Sequence, residues 1–98
     1  MSRLNNKWDR LKREIIIGEI IEGIVVDIKP YGVLVDVGFK IEEDYRFSGI
    51  IDMISIPIHG VRSLPVERTD WPEVNDKIRC LVIGYREHNF EVDVGLCA

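Results

Sequence analysis

The stretch Gly18–Gly38, GEIIEGIVVDIKPYGVLVDVG, decides how the rest of the chain is read. From Glu19 to Ile28 it is rich in Ile and Val, whose branched Cβ favours extended backbone. Gly23 in its middle predicts a long strand bent or bulged at the glycine. Pro30 ends the run, because it has no N–H to give to a ladder. Beyond Tyr31 and Gly32, the residues Val33, Val35 and Val37 alternate with Leu34 and Asp36. That alternation places the valines on a core face and the others outside. Two extended runs about a tight turn, the first bent, are what a small barrel needs.

Working outward, Leu4, Trp8, Leu11 and Ile15 recur at intervals of four, three and four. This is the stripe of an amphipathic helix that lays Trp8 on the barrel and turns its basic residues to solvent. Ser2 or one of Asn5 and Asn6 can cap its start. On the other side, the acidic stretch 39–46 (FKIEEDYR) reads as a loop, followed by a third strand near Ser48–Ile54. Residues 55–75 contain Pro57, Gly60, Pro65 and Pro72 and no sustained period. They predict a long irregular connection with one helical turn, covering the core or serving a ligand. Asn75-Asp76 is a turn signal before a fourth strand, Lys77–Ile83, with 84–89 as a hairpin loop and a fifth strand over Phe90–Gly95. The expected fold class is all-β, a five-stranded Greek-key barrel with an N-terminal helix. Its expected organisation is one domain, with the helix over 1–15 and the barrel over 16–98.

Composition narrows the function. A chain of 98 residues that is 46% hydrophobic and 31% charged supports one ordinary soluble core. No run approaches the ~20 apolar residues of a membrane span, and the charged N-terminus lacks the apolar stretch of a secretory leader. A cytoplasmic location and no membrane partner are expected. Cys80 and Cys97 lack the spacing of a metal site and read as reduced thiols. Residues 1–14 hold five basic side chains (Arg3, Lys7, Arg10, Lys12, Arg13) against Asp9 and Glu14, whereas the remainder has eight basic and fifteen acidic groups. A body so acidic does not draw phosphate over its whole surface, so a nucleic-acid site must be a local patch or must use the basic helix.

In their order, Gly18, Gly23, Val25, Ile28, Tyr31-Gly32, the run Leu34 to Gly38, Gly49-Ile50-Ile51 and Asp76 with Ile78 and Val82 resemble the S-one domain. That domain is the RNA-binding repeat of a large small-subunit ribosomal protein, also found in polynucleotide phosphorylase. Trp8 and Leu11, three apart ahead of the first glycine, fit the same pattern. The resemblance implies an oligonucleotide-binding (OB) barrel that holds single-stranded RNA on an exposed strand face, in translation or RNA metabolism. Such faces stack bases on aromatic rings and gather phosphates with Lys and Arg. Tyr31 matches the first aromatic position, but the second is Leu34. Asp52 stands where a histidine is common, Gly84 stands where an aspartate is, and Arg86 or His88 aligns with the basic residue beyond it. The expected RNA-binding set is therefore Lys29, Tyr31, Leu34, Arg79, Arg86 and His88, brought toward one side together with the basic helix. Glu42, Glu43 and Asp44 add negative charge near that groove.

The altered positions and the acidic body also suit another reading, a protein-binding OB module with a lost RNA face. Such a module would dock a basic partner as a regulator or immunity-type inhibitor of an RNA-directed enzyme. Catalysis is not expected. The sequence has no nucleophile with a nearby base, no metal-ligand cluster and no phosphate-cradling loop, and its two histidines, His59 and His88, stand apart. No cofactor and no metal are expected.

Overall fold

The computed structural model describes residues 3–42, 45–54 and 58–98. Helix α1 (Arg3–Glu14) is followed by strands β1 (Ile20–Lys29), β2 (Gly32–Glu42), β3 (Tyr45–Asp52), β4 (Val61–Arg62), β5 (Lys77–Arg86) and β6 (Glu91–Cys97), with a 3-10 turn at Arg68–Asp70. The five long strands pair in the order β3-β2-β1-β5-β6, and a parallel β3–β6 contact, Ser48–Ile50 against Glu91–Asp93, closes the barrel. Short β4 joins the free edge of β6 where β3 has left it, pairing Val61 with Cys97 and Arg62 with Leu96. The expected all-β Greek-key barrel is what forms, with one strand added.

Three expectations are corrected. The stretch 39–46 is not a loop. β2 runs on to Glu42 and β3 begins at Tyr45, with Phe39 and Phe47 on the buried side; Glu43 and Asp44 lie outside the described residues. The fourth long strand continues to Arg86, because a bulge between Val82 and Gly84 resets its alternation and leaves only a short turn before β6. The irregularity in β1 lies at Val26, between Val25 and Asp27, and not at Gly23. Gly23 serves packing instead: a Cβ there would sit 2.2 Å from a methyl of Val35.

The barrel is plugged at both ends. At one end α1 lies over Phe47, Phe90 and Tyr85, whose rings meet Trp8 edge-on at centroid distances of 5.3, 5.7 and 6.0 Å. Trp8 is 2% exposed and its indole N–H donates to the Glu87 carboxylate. The last carbonyls of a helix have no partner within it. Here the Tyr85 hydroxyl donates to the Ile15 carbonyl (2.6 Å), with the Lys12 carbonyl 3.2 Å away. Asn5 and Asn6 fall inside the helix, and Ser2 lies outside the described residues. At the other end Leu64 and Trp71 of the long connection are buried, and the Trp71 indole donates to the Pro65 carbonyl (2.7 Å). Cys80 is buried in the core, where desolvation pushes its thiol up to about 12 and keeps it protonated.

Candidate nucleic-acid interface

Val33 and Val35 point into the core, so Leu34 and Asp36 point outward. The register then sets one continuous outer face: Leu34 lies opposite Ile50, Asp36 opposite Ser48, and Ile50 beside Asp93 across the parallel pair. Gly84 and Arg86 of β5 join it opposite Asp93 and Glu91. Ile50 is on this outer face and yet 0% exposed, which makes it a fixed apolar floor between Leu34 and Asp93.

The cations of this face are held by acids. Arg46 meets Asp36 at 2.9 Å. Arg86 donates to Asp52 at 3.0 Å and stands 3.6 Å from Asp93. Burial pulls the Arg86 guanidinium down, but the hydrogen bond it donates to Asp52 and the charges of Asp93, Asp52 and Glu91 outweigh it and raise the group above its ordinary value. Burial likewise pushes Asp52 up, and the Ile54 N–H and Arg86 more than reverse it, leaving the carboxyl below its ordinary value. Asp93 goes the other way. Burial raises it, Arg86 opposes, and the neighbouring Asp52 charge adds to the rise. The two carboxylates therefore act oppositely on stability. Asp52 contributes above its unfolded-state value and loses that as pH falls through its folded one, whereas ionising Asp93 carries a cost that grows as pH rises through its raised folded value. This triad lines an open groove of about 140 Å³, whose apolar lining includes Ile54, Ile58, Val61 and Ile83.

The turn between β1 and β2 presents Tyr31, 50% exposed, with Met53 and Ile54 exposed nearby in the chain that follows β3. The turn is held from two sides. The Met53 N–H donates to the Tyr31 carbonyl (2.9 Å), and the Arg68 guanidinium reaches the carbonyls of Lys29 (3.0 Å) and Pro30 (3.4 Å). Arg68 in turn stacks on Trp71, 4.7 Å from the ring centroid. Its hydrogen-bond partners among the described residues are uncharged carbonyls, so its positive charge is not cancelled as that of Arg86 is.

The expected site residues are thus divided. Lys29, Tyr31, Leu34 and Arg86 fall on the turn and the adjoining outer face. Lys29 is paired with Asp27 at 2.9 Å, and that hydrogen bond raises the ammonium and lowers the carboxyl. Arg79 does not join them: it lies opposite Glu22 on the outer β1–β5 surface. His88 is exposed in the β5–β6 turn, next to Glu87, which accepts from Trp8 and from Lys12 (2.7 Å) at the helix end. The helix is less positive than its composition, because Lys12 is bound to Glu87 and Arg10 faces Glu14 at 3.6 Å. Arg68 was not anticipated. It sits in the aperiodic connection, and its partners are main-chain carbonyls, which leave no mark in sequence.

No family model matches the chain, and no curated protein matches it. Solved structures do. An uncharacterized protein, MJ1198, of Methanocaldococcus jannaschii superposes with a TM-score of 0.56 at 22% identity, over 84% of this chain and 92% of that one. A chain of the a/eIF2alpha–aDim2p–rRNA complex of Pyrococcus horikoshii OT3 does so at 0.59 and 16%, over 84% of this chain and 44% of that one. RNase R of Mycoplasma genitalium, in its apo form, gives 0.62 at 15%, with 96% of this chain matching 15% of the enzyme. The fold is the oligonucleotide-binding barrel. Against GSP13 of Bacillus subtilis the TM-score is 0.57 at 15% identity, over 83% of this chain and 55% of that one. These likenesses bear out the S-one resemblance at the level of the fold.

Proposed function

We propose that this chain is a non-catalytic module that binds single-stranded RNA at the Tyr31 end of its OB face. The observation that carries the proposal is the half-exposed Tyr31 ring on a turn clamped by Arg68 and Met53. A base can stack on a ring whose main chain is already fixed, so little backbone ordering entropy is lost on binding. Arg68 supplies uncompensated positive charge at the same turn, and Leu34 with Ile50 extends an apolar floor beyond it. Likeness to a chain from an rRNA complex supports the same reading as an analogy of fold.

The experiment is a titration of labelled oligonucleotide RNA at several salt concentrations. Because only a few cations are uncompensated, affinity should fall with salt along a shallow slope of about one to three released ions. Absence of binding by the folded protein at low salt would overturn the proposal. Arg68→Gln should weaken binding several-fold without unfolding the barrel, since it loosens the turn that carries Tyr31. Acidification adds a second check. Asp93 takes up its proton before Asp52 does, so the outer face loses negative charge as pH drops from neutrality toward the carboxylate range. RNA affinity should rise over that interval, and Asp93→Asn should abolish the rise.

One observation favours the second reading, a protein-binding OB module: both arginines of the strand face are already neutralised by Asp36, Asp52 and Asp93. A regulator or inhibitor of that kind would bind a basic protein, would show no RNA affinity at low salt, and would lose its partner on Asp93→Asn rather than gain RNA.

A further inference from the structure

On the outer surface of β1 and β5, where Arg79 lies, Ile20, Ile24 and Val26 of β1 are each between 41 and 55% exposed, and Ile16 and Ile17, in the segment that leads into β1, are 41 and 54% exposed. On an isolated barrel this surface would be polar, because its strands already have a core on their other side. Register fixes the arrangement in three rows: Ile20 opposite Leu81, Glu22 opposite Arg79, and Ile24 opposite Lys77. Glu22 and Arg79 are both exposed, and among the described residues they make no ion pair with each other or with any other group.

We propose that this face is the interface of a homodimer, formed by a second copy of the chain stacked sheet on sheet. The pattern is self-complementary in one orientation. A two-fold axis lying in the interface along the strands, midway between β1 and β5, carries β1 of each copy over β5 of the other. Ile20 then meets the partner's Leu81, Glu22 the partner's Arg79, and Ile24 the aliphatic stem of the partner's Lys77, each contact occurring twice. An axis across the strands would set Glu22 on Glu22 and Arg79 on Arg79, which repulsion excludes. Facing sheets stack about 10 Å apart at a small angle, a separation that these side chains span. The isoleucines supply the apolar area and the charge pairs fix the register. The RNA face at β2, β3 and β6 stays open in such a dimer, so the inference is independent of the proposed function.

Sedimentation equilibrium of the full chain without RNA, up to about 1 mM, should show a concentration-dependent dimer and no larger species. Glu22→Arg and Arg79→Glu alter exposed side chains and should leave the circular dichroism unchanged. Each alone should weaken the dimer at least about tenfold by placing like charges in contact, and the two together should restore it. A wild-type chain that remains monomeric throughout overturns the proposal, even if a different protein is found on that face. A dimer indifferent to both reversals, or one that the double reversal fails to restore, overturns it as well.

Discussion

Trp8→Ala is expected to lower the unfolding free energy by about 3–5 kcal/mol, the range for removing a large aromatic side chain from a core. The magnitude follows from where the ring sits. It is nearly without exposure, it meets Phe47, Phe90 and Tyr85 edge-on, and it belongs to the helix that closes one end of the barrel. Removing it opens a cavity among rings that cannot collapse onto one another, because Phe47 is anchored on β3, Tyr85 on β5 and Phe90 on the turn between β5 and β6. In a domain whose whole stability is about 5–15 kcal/mol, such a loss brings the chain close to unfolding under ordinary conditions. The melting temperature should fall by at least about 12 °C. Glu87→Gln separates the packing from the polar contact. It keeps an acceptor for the indole N–H and sacrifices only the Lys12 ion pair, which is exposed and screened by solvent. If Trp8→Ala melted within 3 °C of the parent, the aromatic plug would not be the element that holds α1 to the barrel.

The same aromatic plug marks how far sequence reaches. Trp8 and Leu11 were readable as buried because a helix repeats its face every three to four residues, and both carry that period. Val33, Val35 and Val37 were readable for the corresponding reason in a strand. Phe39 and Phe47 were not assigned to strands, because the acids between them break the alternation while the backbone still pairs. The alternation hides the strand at Arg86 for a similar reason, since the bulge after Val82 shifts the period by one residue. The Arg86 partner Asp52 is 34 positions away and comes to it only through the parallel closure of the barrel, whereas Asp93 lies across the β5–β6 hairpin. A contact between residues that no local pattern links cannot be read from spacing. The consequence for the site is specific: sequence supplied Tyr31, and the barrel's closure decides that Asp52 joins Asp93 in holding Arg86.

Tyr31→Ala is expected to weaken RNA binding by about 1–3 kcal/mol, or roughly fivefold to 150-fold, the range measured for losing one stacked base. Stability should change little, because half of the ring is exposed and the turn is held through main-chain atoms that alanine retains. That separation makes the variant informative. Tyr31→Phe keeps the stacking surface and drops only the hydroxyl, so its affinity should stay within about twofold of the parent if stacking is the interaction. A loss as large in phenylalanine as in alanine would mean that the phenol hydroxyl, and not the ring face, meets the RNA. The size of the alanine effect also measures how much the rest of the face contributes. With Arg46 and Arg86 neutralised by carboxylates, few other groups on the strand face can compensate for a lost stack, so the effect should lie toward the upper end of the range. Asp52→His, which frees Arg86 from one carboxylate and adds an imidazole, should recover part of the lost affinity in the Tyr31→Ala background. No recovery there would place the RNA on the turn alone, away from β3 and β6.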